Sequence, residues 1–253
     1  MKNHFFFSYV GNKRDEVGII HDKIKNKLDG IKTIVEPFCG SSAFSFFIST
    51  LYPKRFHYIL NDNNENLVKL YHIAQNKNKF EKLVKQLKII LKDLNKEKYN
   101  VIIKSGGLIG YILSNYIFKI RAGLFPNTDH IKTIDAFENA PIIHFLRTEN
   151  VVITNLDAVK VYEKFNSSSC LVFLDPPYVM LNNNYYKNAT LNIYEYLNDH
   201  PILKMKAFII LVLEWSWIIK LLFKDTVRFL YDKKYKTSRK NTIHAIISNR
   251  SLK

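Results

Sequence analysis

Only two cysteines occur in 253 residues, Cys39 and Cys170. They have no metal-ligand spacing and no disulfide framework can be built from them, so a reducing compartment is expected. The eight histidines show no metal spacing either. Long apolar runs are also missing. The longest stretch, Ala207 to Leu213, is far too short to cross a bilayer, and no signal peptide is read at the start of the chain. The expectation is a soluble, cytoplasmic protein, or one located wherever its partner resides. Acidic residues are scarce as well, 22 against 38 Lys and Arg.

That scarcity leaves a net charge of +16, which suits a polyanionic partner. The charge is unevenly placed. Residues 71–150 carry 13 basic against 7 acidic side chains, and residues 201–253 carry 12 against 3. Segments 1–70 and 151–200 stay nearly neutral. A biased composition rich in Lys, Asn and Ile accounts for a high total, but less well for this distribution. The length suffices for one large α/β domain, with or without a smaller insert, and for a core that needs no staples.

A helix is expected from Asp15 to Leu28, stopped by Asp29-Gly30. Thr33-Ile34-Val35 reads as a buried strand, and Glu36 to Gly40 as the turn after it. Ser41 or Ser42 then caps a helix from Ala43 to Leu51. Tyr58-Ile59-Leu60 is a second strand, closed by Asn61 to Asn64, and Glu65 to Ile73 returns as a helix. Short β-α-β-α connections predict a parallel, doubly wound sheet of Rossmann-like type. At Gln75 the pattern changes to amphipathic helix, with Leu83, Leu87, Ile90 and Leu94 on one stripe. Lys82, Lys85, Lys88 and Lys92 lie off it, the ordinary wet face of such a helix. A helical insert is expected over 75–147, between catalytic-domain segments 1–74 and 148–253. Sheet strands resume at Val151 to Thr154, Cys170 to Leu174 and Ala207 to Leu213, followed by a hairpin pairing 227–231 with 243–248. Residues 179–200 read as a polar loop.

The sharpest motif is Asp175-Pro176-Pro177-Tyr178, directly after the apolar strand. In an open α/β sheet, ligands bind beyond the carboxyl ends of the strands. There the Asp175 carboxylate accepts a hydrogen bond from an amino group, and the Pro176 carbonyl accepts a second. The prolines stiffen the turn, and Tyr178 offers a flat face to a base. Two acceptors on an aromatic amine favour localising its lone pair, which then attacks a methyl sulfonium in line. Neither a metal nor a covalent intermediate is required. A second motif, Glu36-Pro37-Phe38-Cys39-Gly40-Ser41-Ser42, is a strand, a Gly turn and a helix, of the kind that lets a ligand approach backbone closely. By itself this is a weak signal. Asp62, at the end of the second strand, suits ribose hydroxyls or simple helix capping. Tyr9-Val10-Gly11-Asn12-Lys13-Arg14 is unremarkable alone.

Taken together and in this order, these strings resemble the Dam-like, D12-class, α-group DNA adenine-N6 methyltransferases, over nearly the whole chain. The resemblance implies S-adenosylmethionine (AdoMet) as cofactor and double-stranded DNA as partner, bound by a monomer or weak dimer. It implies cofactor contacts from Tyr9, Gly11, Asn12, Lys13, Glu36, Pro37, Phe38, Cys39, Gly40, Asp62 and Asp157. Asp175, Pro176, Pro177 and Tyr178 would hold a flipped adenine, since chemistry on a base amine requires leaving the stack. Lys119, Arg121, Arg147, Arg239 and Lys240 are candidate DNA contacts, and Tyr185 with Tyr186 would close over the base. The resemblance includes a restriction-modification or regulatory setting, which the residues do not choose between. Asp at 175 favours adenine over cytosine N4, where Ser more often leads the motif. RNA methylation and a non-catalytic DNA-binding subunit of the same fold are the rival readings. Two departures stand out. Ser42 occupies the place of a second Gly. The insert reads Asn115-Tyr116-Ile117-Phe118-Lys119-Ile120-Arg121-Ala122-Gly123 instead of the family's Arg-Tyr-Asn recognition string, so GATC specificity is not implied.

Overall fold

The computed structural model describes residues 13–117, 130–176, 197, 201–234 and 241–252. The described strands form a seven-stranded sheet. They are β1 (Thr33–Glu36), β2 (His57–Asn61), β3 (Asn150–Thr154), β4 (Cys170–Leu174), β5 (Phe208–Glu214), β6 (Val227–Lys234) and β7 (Asn241–Ser248). Their order is β3-β2-β1-β4-β5-β7-β6. β1 to β5 run parallel, while β7 pairs antiparallel with both β5 and β6. The order reverses between β1 and β4. This is the topological switch point at which doubly wound sheets bind ligands.

The central strands are apolar without alternation because both faces are covered. Along β4, Leu171 and Phe173 enter one core with Phe44, Tyr58 and Phe208, whereas Val172 and Leu174 enter a second with Val35, Ile209 and Leu211. Phe44 stacks on Phe173 with ring centroids 4.2 Å apart. That contact fixes α2 (Ala43–Leu51) against β4 and aligns the turns that follow β1 and β4.

The first helix is shorter than expected. α1 spans Val17–Ile24 and passes into a 3-10 turn at Lys25–Lys27. Gly30 then takes φ +76, the left-handed conformation that ends the segment. α3 (Glu65–Gln75) is capped by the Asn64 side chain, which accepts from the Leu67 amide. The described residues between 77 and 117 and between 130 and 148 form the helices α4 (Lys77–Lys92), α5 (Lys96–Ser105), α6 (Gly107–Ile112), α7 (His130–Glu138) and α8 (Ile142–Thr148). The apolar side chains Phe80, Leu83, Leu87, Tyr116 and Phe137 belong to the same core as the sheet. Gly110 permits the close approach of α5 and α6, since a Cβ there would lie 2.9 Å from the Ile102 carbonyl oxygen. A π-helical turn at Leu113–Ile117 follows α6. After β3 come α9 (Ala158–Lys164) and, beyond β5, α10 (Trp217–Leu222). The terminal hairpin has the predicted pairing and is longer at both strands.

Candidate active site

The turn after β1 is built from backbone contacts to the end of β2. The Cys39 amide donates to the Asn61 carbonyl at 2.7 Å, and the Asn61 side-chain amide donates to the Pro37 carbonyl at 3.0 Å. The Gly40 amide donates to Asp62 Oδ2 at 2.9 Å, and the Asn64 amide donates to Asp62 Oδ1 at 3.0 Å. The Tyr71 hydroxyl, reaching up from α3, donates to the Gly40 carbonyl at 2.6 Å. Gly40 has φ +46 and Ser42 φ 53. Gly tolerates this region freely, whereas Ser pays for it. Ser42 occupies the capping position of α2 as expected, yet its side chain makes no cap hydrogen bond.

Two carboxylates therefore meet the same turn. Glu36 is buried and its Oε1 accepts the Ser45 amide in the first turn of α2 at 2.8 Å. Burial dominates and pushes its pKa up to about 8, against the hydrogen bond from Ser45. Burial also raises the pKa of Asp62, with the Asn64 and Gly40 amides pulling the other way. Each Asp62 oxygen holds one backbone N–H and keeps lone-pair capacity for another donor. Asn64, not Asp62, caps α3, so the capping role open to Asp62 is filled by its neighbour. Carboxylates at the ends of adjacent strands, beside a positive-φ turn, fit a ligand that presents hydroxyl and amino groups. Asp157 is exposed and caps α9, with Oδ1 accepting from the Val159 and Lys160 amides. Phe38 is half-buried against the second core, and Cys39 is buried with its thiol pushed up by burial.

Asp175 follows β4, the strand next to β1. Its Oδ1 lies 2.6 Å from Lys13 Nζ, and Pro176 beside it is buried. Lys13 is 4% exposed and Asp175 19%. Burial raises the Asp175 pKa and Lys13 opposes the rise. Lys13, Glu36, Asp62 and Asp175 thus converge at the carboxyl ends of β1, β2 and β4. Arg147 is engaged elsewhere. Its Nε donates to the Ala74 carbonyl at 2.8 Å and its guanidinium lies over the Phe80 ring, tying α8 to α3 and α4. That geometry gives it a packing role which its sequence position did not announce. Tyr9, Gly11, Asn12, Lys119, Arg121, Pro177, Tyr178, Tyr185, Tyr186, Arg239 and Lys240 lie outside the described residues, as does the 179–200 loop apart from Leu197.

Sequence reasoning missed a second buried cluster beside Lys13. Glu16 accepts from the Tyr231 hydroxyl at 2.6 Å and from Lys233 Nζ at 2.7 Å, and it pairs with His244 Nδ1 at 2.7 Å. A signal was available, since Glu16 sits on the stripe of Ile20 and Ile24, where a carboxylate needs partners. Tyr71 was missed too, as one tyrosine on an apolar helix face looks like core.

Residues 9–105 match the D12 class of N6 adenine-specific DNA methyltransferases. The enzyme class this supports is an adenine-specific DNA methyltransferase, with methylation of DNA adenine as its general activity. The matched stretch contains Lys13, the Glu36 to Gly40 turn and Asp62, and ends before β4. No curated protein matches the chain. The mixed sheet with flanking helices agrees with a Rossmann-like methyltransferase fold. Among the described residues, no helix is long and apolar enough to cross a membrane, and no group of three or more His, Cys, Asp or Glu is arranged to hold a metal ion.

Proposed function

We propose that this adenine-specific DNA methyltransferase transfers a methyl group from AdoMet to N6 of an adenine flipped out of duplex DNA. The observation that carries the reading is the adjacency of two turns. Asp175-Pro176 leaves the carboxyl end of β4 next to the Glu36 to Gly40 turn at the end of β1. A methyl donor bound at the second turn would face an amine held at the first.

In this reading Glu36, Pro37, Phe38, Cys39, Gly40 and Asp62 hold the cofactor, with Asp62 accepting from ribose hydroxyls. Tyr9, Gly11, Asn12, Lys13 and Asp157 complete the pocket. AdoMet supplies an electrophilic methyl when bound. The chain's part is to orient the amine. The Asp175 carboxylate and the Pro176 carbonyl accept its two hydrogens, Pro177 stiffens the turn, and Tyr178 stacks on the base. The reading includes a target-recognition insert at 75–147 inside a catalytic unit of 1–74 and 148–253. Lys119, Arg121, Arg239 and Lys240 offset the few kcal/mol that extrusion of a base costs. Arg147 joins them through its terminal guanidinium nitrogens, with Nε held by the Ala74 carbonyl. Tyr185 is assigned to closing over the base, and the protein acts as a monomer or weak dimer.

Incubation with methyl-labelled AdoMet and unmethylated duplex DNA, followed by nucleoside analysis, tests the reading. The expected product is N6-methyladenine. Label in cytosine, or in RNA alone, overturns the substrate assignment. AdoMet binding without transfer to any DNA supports a non-catalytic subunit instead.

A further inference from the structure

Lys13 stands between two buried carboxylates. It pairs with Asp175 at 2.6 Å, and it lies one helical turn before Glu16, whose amide donates to the Lys13 carbonyl at 2.8 Å. Its charge lowers the pKa of Glu16, and the charge of Glu16 raises that of Asp175. A buried carboxylate that lacks donors recruits the nearest cation. Glu16 nonetheless leaves the Lys13 ammonium on Asp175. The reason is visible in the hairpin, where Tyr231 and Lys233 of β6 and His244 of β7 all reach the two Glu16 oxygens. With these partners Glu16 is ionised. Burial pushes its pKa up, but the hydrogen bond with His244, the Lys13 charge and Lys233 together hold it down to about 2.

We infer that the three hairpin contacts saturate Glu16 and thereby reserve the Lys13 ammonium for Asp175, making Tyr231, Lys233 and His244 positioning residues for the acceptor of the target amine. The inference rests on the proposed role of Asp175. Its physical content is that the β6–β7 hairpin, through its contacts with Glu16, decides which carboxylate Lys13 serves. An Asp175 deprived of Lys13 would keep a proton at higher pH, and a protonated carboxyl is a poorer acceptor for an amine. Among the described residues, the charged groups acting on Asp175 or facing this cluster are Lys13 and Glu16 before α1, Glu36 on β1, Lys233 on β6 and His244 on β7. Glu214 on β5 is the register partner of His244 and is half-buried.

The deciding variant is Tyr231→Phe, which removes one donor to Glu16 and changes no charge. The measurement is the titration midpoint of the Asp175 carboxyl carbon by NMR on the full chain, identified by its disappearance in Asp175→Asn. It needs neither AdoMet nor DNA, so it stands apart from the methylation assay that tests the function itself. The midpoint is expected to move to higher pH in Tyr231→Phe, and the same substitution is expected to leave it unmoved in a Glu16→Gln background, because an amide does not compete for Lys13. In methylation assays the acid limb of kcat moves the same way, with a loss of roughly a factor of ten on that limb and KM for DNA unchanged. An unmoved midpoint in Tyr231→Phe, or an equal movement in the Glu16→Gln background, overturns the inference and leaves the cluster with a purely structural role.

Discussion

The Gly40 amide donates to the Asp62 carboxylate, across 2.9 Å, so the turn after β1 is held in shape by a side chain from the end of β2. The other Asp62 oxygen holds Asn64, the residue that caps α3. One carboxylate therefore organises both the turn after β1 and the start of α3. Asp62→Asn replaces one of these acceptors by an NH2 group that faces a backbone N–H. The expected cost is about 1–3 kcal/mol of stability, the penalty for leaving a buried donor unsatisfied. AdoMet affinity is expected to fall at least tenfold, read by calorimetric titration at a temperature where the variant is still folded. Full affinity in a destabilised variant would confine Asp62 to a structural role.

Glu36 gives stability a pH dependence of unusual sign for a carboxylate. Its folded pKa is raised to about 8 from an ordinary value of about 4.5, with burial as the main cause. The folded state therefore binds more protons than the unfolded state between those values. The contribution of Glu36 is fully present below about 4.5 and is lost as pH rises through about 8. Denaturant midpoints of the ligand-free protein should fall between pH 5 and pH 9 by an amount that Glu36→Gln removes. Equal slopes in both proteins would mean that Glu36 is ionised in the fold.

The sheet was legible in the sequence because its strands are short apolar runs closed by Asn, Asp, Gly and Pro. Cys170–Leu174 and Ala43–Leu51 were bounded correctly, since each is flanked by such signals. The end of α1 was not, because Lys25 to Lys27 continues the helical pattern while the chain tightens into a 3-10 turn. The site was legible only where its residues are neighbours in sequence. Asp175-Pro176 and Glu36 to Gly40 could be read as strings. The Lys13–Asp175 pair and the Glu16 cluster could not, since they join the segment before α1 to the end of β4 and to the last hairpin, and no local pattern records those meetings. Arg147 carries a contact that its place in the sequence does not announce. A lone arginine in a basic insert looks like a phosphate contact, but the carbonyl it satisfies lies at the end of a different helix.

Ser42 holds a left-handed conformation, φ 53, at the start of α2 and obtains no cap hydrogen bond there. A non-glycine residue in that region is strained, so Ser42→Gly is expected to stabilise the protein by about 0.5–1 kcal/mol. For a chain of this size that is a rise of roughly 1–4 °C in Tm. The gain is bounded because glycine is also freer in the unfolded chain, and because the small space left by the hydroxymethyl group is fully buried. A fall in Tm would show that the Ser42 side chain contributes more to packing than its backbone costs.

Asp175 is both the proposed acceptor for the target amine and the counter-ion of a buried lysine, and the two roles separate by choice of substitution. Asp175→Ala removes the carboxylate that pairs with Lys13, which is only 4% exposed, and breaking a buried pair in this way costs about 3–5 kcal/mol. Loss of activity in that variant alone would be ambiguous. Asp175→Asn keeps an oxygen for Lys13 but has only one acceptor to divide between the ammonium and the amine. Its turnover is expected to fall by at least a hundredfold, the scale of removing one oriented polar group from a transition state, while DNA affinity stays within about threefold. Gel-shift binding and single-turnover methylation on the same preparation separate the outcomes. Parallel loss of binding and turnover in Asp175→Asn would assign the residue to holding Lys13 and the β4 turn, and the amine would then need another acceptor.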